Sequence, residues 1–211
     1  MGDQALLVDV EDGPAPATLA AAITSAGHPT VAEVVPAAAT VLIRTTPGAD
    51  LAAVAVSVRA LAGEATEQAA SAEDEIVIPV AYDGADLADV ALHTGLSPDD
   101  VVAAHTGQVW TVAFCGFAPG FGYLRGEDDR LHVPRRSSPR TRVPSGAVAL
   151  AGEFTGVYPR PSPGGWQLIG RTDLTVWDLD RRPPALLRPG VRVRFVASTG
   201  VDTADDDAQT A

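Results

Sequence analysis

Residues 114–124 read FCGFAPGFGYL and residues 162–172 read SPGGWQLIGRT; an Arg/Pro block, VPRRSSPRTRVPSG (133–146), and a Gly/Tyr/Pro block, AGEFTGVYPRPSPGG (151–165), fill the stretch between them. Glycine permits turns and close backbone approach, and proline fixes φ. Their recurrence from Phe114 to Thr172 therefore describes a surface shaped by fixed backbone turns. Short β-type runs flank these turns: Val109–Phe114, Ala147–Ala151, Trp166–Ile169, Thr175–Leu179 and Val191–Val196. Several short strands punctuated by Gly and Pro predict a predominantly β domain, closed as a barrel.

Upstream of Val109, the second domain is expected to begin with a strand, Glu75–Tyr82, followed by two short helices. Asp86 is placed to cap Leu87–His93. Ser97 is placed to cap the next helix, with Pro98 at its first position and two acids in its first turn. Gly95 and Gly107 supply the stops. The chain before Glu75 has a different pattern. Ala5–Val10 reads as a strand, Pro16–Ser25 as an Ala-rich helix ended by Gly27, and Val31–Val35 with Thr40–Arg44 as a hairpin. Leu51, Val54, Val58 and Leu61 share one helical face, and Gly63 is placed to end that helix. The order β-α-β-β-α predicts a two-layer domain with helices on one sheet face. The fold class is thus α+β: an N-terminal α/β domain with its polar linker over 1–74, a β-barrel domain over 75–200, and an acidic tail, 201–211, expected to be disordered.

The formal net charge of −12 opposes binding to nucleic acid or anionic membrane. No apolar run approaches the ~20 residues that span a bilayer. The opening MGDQALLVDVEDG lacks a basic segment followed by an apolar one, so no export signal is expected and the cytoplasm is the expected location. Cys115, the one cysteine, has no intrachain disulfide partner and reads as a small buried hydrophobe. All 15 basic residues are Arg. Without Lys a phosphate-binding P-loop is excluded; no metal-ligand cluster, Ser-His-Asp spacing or dinucleotide fingerprint is present either. Arg135, Arg136, Arg140 and Arg142 fall within eight positions. A planar guanidinium matches carboxylate or phosphate, so this block is an anion-site candidate; an exposed loop paired with some of the 27 acids is the alternative.

At FCGFAPGFGYL, PRRSSPRTRVPSG and TGVYPRPSPGGWQLIGRT the sequence resembles the Kip inhibitor (KipI) family, which includes the B subunit of bacterial 5-oxoprolinase and allophanate hydrolase subunit 1, a carboxyltransferase-domain family of subdomains C and D. The resemblance extends through GDQALLVDV, VAEVVPAAATVLIR, IPVAYDGADLADVALHTGLSPDDVVAAHTG and RPGVRVRFV. It implies a small N-terminal α/β domain followed by a cyclophilin-like β-barrel. It also implies a component, inactive alone, that acts with the companion subunits A and C in the ATP-dependent opening of 5-oxoproline to L-glutamate, with ATP and magnesium as a co-substrate of the assembly. Two alternatives belong to the same resemblance: a non-enzymatic inhibitor docking on a histidine kinase, and a component of a related allophanate or urea amidohydrolase. The chain departs from the family pattern at Ala118 and Gly122 (usual GFLPGFPYL), at PSGAV (144–148), and at Phe154, where a Gln is usual; these replacements put the substrate in question.

Candidate roles follow from the residue types and this match. Arg135, Arg140 and Arg142 are expected to hold a substrate carboxylate or a phosphorylated intermediate. His105, at a helix end, is either a proton carrier near neutral pH or a helix cap. Tyr123, Tyr158, Trp166 and Gln167, completed by Arg171 and Thr172, are placed at a barrel rim as a concave site, with the aromatics equally suited to core or interface. Pro119, Gly120, Gly156, Gly164 and Gly165 are the scaffold of the motif. No bound metal is expected.

Overall fold

The computed structural model describes residues 4–10, 15–64 and 75–198, so the linker and the acidic tail expected at 201–211 lie outside the described residues. In chain order the elements are β1 (Ala5–Asp9), α1 (Pro16–Ala26), β2 (Val31–Pro36), β3 (Thr40–Thr45), α2 (Leu51–Glu64), β4 (Glu75–Val80), α3 (Leu87–Thr94), α4 (Pro98–Thr106) and β5 (Trp110–Cys115). They continue with β6 (Gly122–Arg125), β7 (Arg140–Val143), β8 (Ala147–Ala151), β9 (Phe154–Val157), β10 (Ser162–Gly164), β11 (Gln167–Arg171) and β12 (Arg192–Ala197). The architecture is mixed α/β with a nearly closed, barrel-shaped sheet, which matches the expected α+β class. Backbone contacts group the described residues into two units, those within 1–75, 110–125 and 176–192 and those within 76–109, 126–175 and 193–211.

In the first unit, β-branched alternation makes β3 the central strand of a three-stranded sheet ordered β1-β3-β2, antiparallel on both sides. Its inward residues Val41 and Ile43 meet Leu19, Ala20 and Ile23 of α1 and Val54 and Val58 of α2 in one apolar cluster. Burying each Leu, Ile or Val side chain contributes about 1.5–3 kcal/mol, which outweighs the weak helix propensity of the β-branched members. Pro16 opens α1, and Gly27, at φ 62, ends it. Asp50 starts α2 by accepting from the backbone N–H groups of Ala52 and Ala53 at 2.9 and 3.2 Å. Gly63 does not end α2. The helix runs through it to Glu64.

The same unit holds the antiparallel β5–β6 hairpin, with Cys115 opposite Gly122. Between these strands the tip carries Phe117 at φ 66, the one non-glycine residue with positive φ among the described residues. The segment Thr175–Leu179 departs from its expected strand: it forms no strand, only an isolated bridge between Trp177 and Ala185. Its β-branched and aromatic composition fits a strand, but a ladder needs a partner with free donors and acceptors, and only one bridge forms.

In the second unit, β8 is buried at all five positions, consistent with its unbroken apolar sequence AVALA. It lies between β9 and β11, antiparallel to both. β7 and β10 form a separate two-stranded ladder. Ser97 caps α4 as expected, its Oγ accepting from Asp100 N at 3.1 Å.

Candidate functional site

The site is built on Gly84. Its backbone runs so close to β11 that an added Cβ would stand 2.3 Å from the Ile169 carbonyl carbon and 2.4 Å from the Leu168 oxygen. Only glycine fits there. The contact is fastened by Gly84 N–H donating to Ile169 O at 3.2 Å and Asp86 N–H donating to Leu168 O at 2.9 Å. Asp86 is thereby delivered to the start of α3 with 1% of its surface exposed. It does not cap that helix with its side chain, contrary to the sequence expectation. One carboxylate oxygen, Oδ2, accepts from Leu168 N–H at 2.7 Å. The other, Oδ1, accepts from Arg136 Nη1 and, at 2.7 Å, from Arg140 Nη2.

Burial by itself would raise the Asp86 pKa. The Arg140 hydrogen bond, the Leu168 N–H and the two guanidinium charges outweigh it and hold the carboxyl below the ordinary carboxylate range. Asp86, Arg136 and Arg140 together carry two positive charges and one negative, and the Asp89 carboxylate also acts on Arg140. The two arginines are not saturated: Arg140 Nη1 and Arg136 Nε are buried without a hydrogen-bond partner. Both side chains still keep part of their surface open, 29% for Arg136 and 23% for Arg140. Gln167, buried on β11, donates its amide to Pro134 O at 3.2 Å, and its Oε1 has no partner. Arg136 N–H donates to Gly165 O at 2.8 Å, so the 134–139 loop is tied to β11 at Gln167 and to the turn ahead of it at Gly165.

His105 lies elsewhere in the same unit. The imidazole is wholly buried, with Nδ1 2.8 Å from the Tyr82 hydroxyl and Nε2 2.9 Å from Thr155 Oγ1. Thr155 spends its own proton on Ala149 O at 3.2 Å, so it accepts from Nε2–H, and Tyr82 donates to Nδ1. The Phe195 ring packs against the imidazole at a centroid distance of 4.3 Å. Burial pushes the imidazole down to about 3, so it is neutral at pH 7 and adds no charge to the helix end. In this conformation His105 is a buried hydrogen-bonding strut, and its surroundings suit neither the proton carrier nor the charged cap expected from sequence.

The other residues named from sequence separate by exposure. Arg135 and Arg142 are exposed, and Arg171 is an exposed partner of Asp83 at 3.0 Å. Tyr158, Trp166 and Gln167 are buried, so they do not form an open rim. Tyr158 depends on Gly164, whose added Cβ would stand 2.3 Å from its hydroxyl. Thr172 is buried and turns the chain, accepting from Leu174 N–H at 3.2 Å. Gly156 pairs with Ala149 inside the β8–β9 ladder, and Gly165 is the carbonyl anchor for Arg136. In the first unit, Tyr123 is half-buried and stacks on Phe114 at 4.2 Å, Pro119 is exposed, and Gly120, at φ 81, leaves room for Trp177. Sequence reasoning missed Asp86 as a site residue and gave Arg136 no role of its own. The available signal was Gly84 two residues ahead of an acid, a pattern that becomes meaningful only once Leu168 lies beside it. Among the described residues, no group of three or more His, Cys, Asp or Glu is placed to hold a metal ion.

The sequence model described as "Carboxyltransferase domain, subdomain C and D" matches residues 1–187. The 5-oxoprolinase B subunit of Escherichia coli O157:H7 is 54% identical over 124 residues, 57% of this chain and 57% of that protein. The protein of the same name from Bacillus subtilis (strain 168) is 48% identical over 124 residues, 57% of this chain and 52% of that protein. The matched region thus spans just over half the length of these curated relatives. Among solved structures, TTHA0988 gives a TM-score of 0.76 at 37% identity, covering 94% of this chain and 40% of that one. The conserved uncharacterized protein PH0987 from Pyrococcus horikoshii gives 0.57 at 36%, covering 94% of this chain and 95% of that one. The K. lactis urea amidolyase shares the fold, with a TM-score of 0.73 at 19% identity over 93% of this chain and 14% of that one.

Proposed function

Because the chain belongs to the family of carboxyltransferase-domain subdomains C and D, we propose that it is the B subunit of an ATP-dependent 5-oxoprolinase, opening 5-oxo-L-proline to L-glutamate in the cytoplasm together with subunits A and C. The names of the relatives at 48% and 54% identity support this reading. The observation that carries it is the Asp86-held arginine pair, a fixed cationic group with unused N–H donors.

A lactam amide is a poor electrophile. Transfer of the ATP γ-phosphoryl group to the lactam oxygen, with release of ADP, activates the ring carbon; water adds to that carbon, the C–N bond breaks with the ring nitrogen leaving as the protonated amine to give an open-chain acyl phosphate, and a second water hydrolyses the acyl phosphate to glutamate and phosphate. Negative charge grows on oxygen in these steps. Arg136 and Arg140 serve by holding the substrate carboxylate or a phosphoryl oxygen, because cations fixed in advance stabilise charge without reorganising. Asp86 restrains both guanidiniums and so reduces the entropy lost when they engage an anion. ATP, with magnesium, enters as a co-substrate of the complex, and the guanidiniums are what this chain offers it.

The test is reconstitution with subunits A and C and measurement of glutamate formed from 5-oxoproline and ATP, omitting each chain in turn. The proposal requires that formation stop when this chain is left out.

A further inference from the structure

Arg136 Nε, Arg140 Nη1 and Gln167 Oε1 are three buried polar atoms without a hydrogen-bond partner, on residues joined through one loop and one strand. A buried polar group left unmatched is costly, and a native protein that keeps several together calls for an explanation. The Gln167 amide is not reversible here. Its nitrogen must face Pro134 O, an acceptor, so its oxygen is the atom left over. Gln167 is itself 3% exposed, so no bulk water competes for that oxygen. The set offers two donors and one acceptor beside two guanidiniums that share a single buried carboxylate.

We propose that these atoms form one ligand subsite for a small anion that carries an N–H close to its carboxylate, with Gln167 Oε1 as the specificity-determining acceptor and Asp86 as the residue that positions the two arginines. The carboxylate engages the unused N–H groups of Arg136 and Arg140. The ligand N–H donates to Gln167. A ligand with oxygen in place of that N–H leaves the Gln167 oxygen unmatched, which is how a buried polar site rejects an isostere. The assignment rests on the lactam reading above and names the residues that recognise the lactam N–H.

The experiment is isothermal titration of the full chain with L-5-oxoproline, with its lactone analogue (N–H replaced by O) and with 2-pyrrolidinone, which lacks the carboxylate. Wild type is expected to bind the lactam about 10-fold more tightly than the lactone, and to bind 2-pyrrolidinone more weakly still. Gln167→Met is expected to remove the lactam preference while keeping the carboxylate requirement. Asp86→Asn is expected to weaken lactam and lactone alike, and a thermal melt of each variant reports folding separately. Equal binding of lactam and lactone by wild type, a preference that survives in Gln167→Met, or no binding of L-5-oxoproline overturns the inference. The wild-type comparison needs no variant to fold. Glutamate production by the assembled complex reads the proposed function separately, so an active complex without lactam preference in this chain sinks the subsite alone.

Discussion

Asp86 and Arg140 stand 54 residues apart in the chain and meet in a 2.7 Å hydrogen bond at a carboxylate that is 1% exposed. Arg136 and Leu168 N–H share the same carboxylate. Asp86→Ala removes all three acceptor contacts and leaves two partly buried guanidiniums facing each other. Because those arginines keep some solvent, the expected loss is about 2–3 kcal/mol, below that of a fully buried pair. Asp86→Asn retains an acceptor and costs about 1–2 kcal/mol. Denaturant unfolding of both variants checks this, and equal stability of Asp86→Ala and wild type contradicts it.

Gly84→Ala is predicted to act on Asp86 from two residues away. The added methyl meets backbone atoms of β11, which cannot rotate aside, so the 84–86 turn has to lift. Overpacking of this kind costs about 1–3 kcal/mol or more. Gly27→Ala is the control: its φ is 62, but no atom lies within 4 Å of the new Cβ. Its cost is the left-handed backbone alone, about 1 kcal/mol. Gly84→Ala should therefore lose more stability and, unlike Gly27→Ala, should lower activity of the assembled complex.

His105 predicts a stability loss in mild acid. Its folded pKa is about 3, against an ordinary value of 6.5. Between these values the unfolded chain binds the proton and the folded chain does not, so this contribution is present above pH 6.5 and is lost as pH falls toward 3. The slope approaches about 1.4 kcal/mol per pH unit inside the window. Asp86, whose folded pKa is also lowered, adds to the loss only below the ordinary carboxylate value near 4. Replacing His105 with Asn should flatten the profile between pH 6.5 and 4 while lowering stability at pH 7; an unchanged slope contradicts the burial argument.

Local signals in the sequence carried the fold well where contacts are local. The alternation of Val41 and Ile43, the spacing of Val54 and Val58, and Ser97 ahead of Pro98 each specify structure within a few residues, and β3, α2 and α4 form accordingly. Strands β6, β7, β9 and β10 were not expected, because three or four residues rich in Gly, Arg and Pro become strands only through partners supplied by the fold. Asp86 resembled a cap for the same reason. Its local surroundings fit a helix start, while the groups that claim its carboxylate lie 50, 54 and 82 residues away. His105 was legible as a helix-end residue, but Tyr82 and Thr155, which fill both its nitrogens, were not.

The Arg block divides by environment. Arg140 is held by Asp86, whereas Arg142, two residues along the same strand, is exposed. In the proposed reaction Arg140 and Arg136 stabilise the anion. Arg140→Gln should lower activity of the complex about 100-fold or more, in the range for losing a fixed charge-stabilising donor. Arg142→Gln should change it only a few-fold, because an exposed charge is largely screened.

Glutamate formation from 5-oxoproline and ATP, measured in the complex rebuilt with subunits A and C, tests the central claim most directly. The predicted result is production that requires this chain and is lost with Arg140→Gln although that variant still folds and assembles. Full production without this chain, or undiminished production with folded Arg140→Gln, contradicts the account.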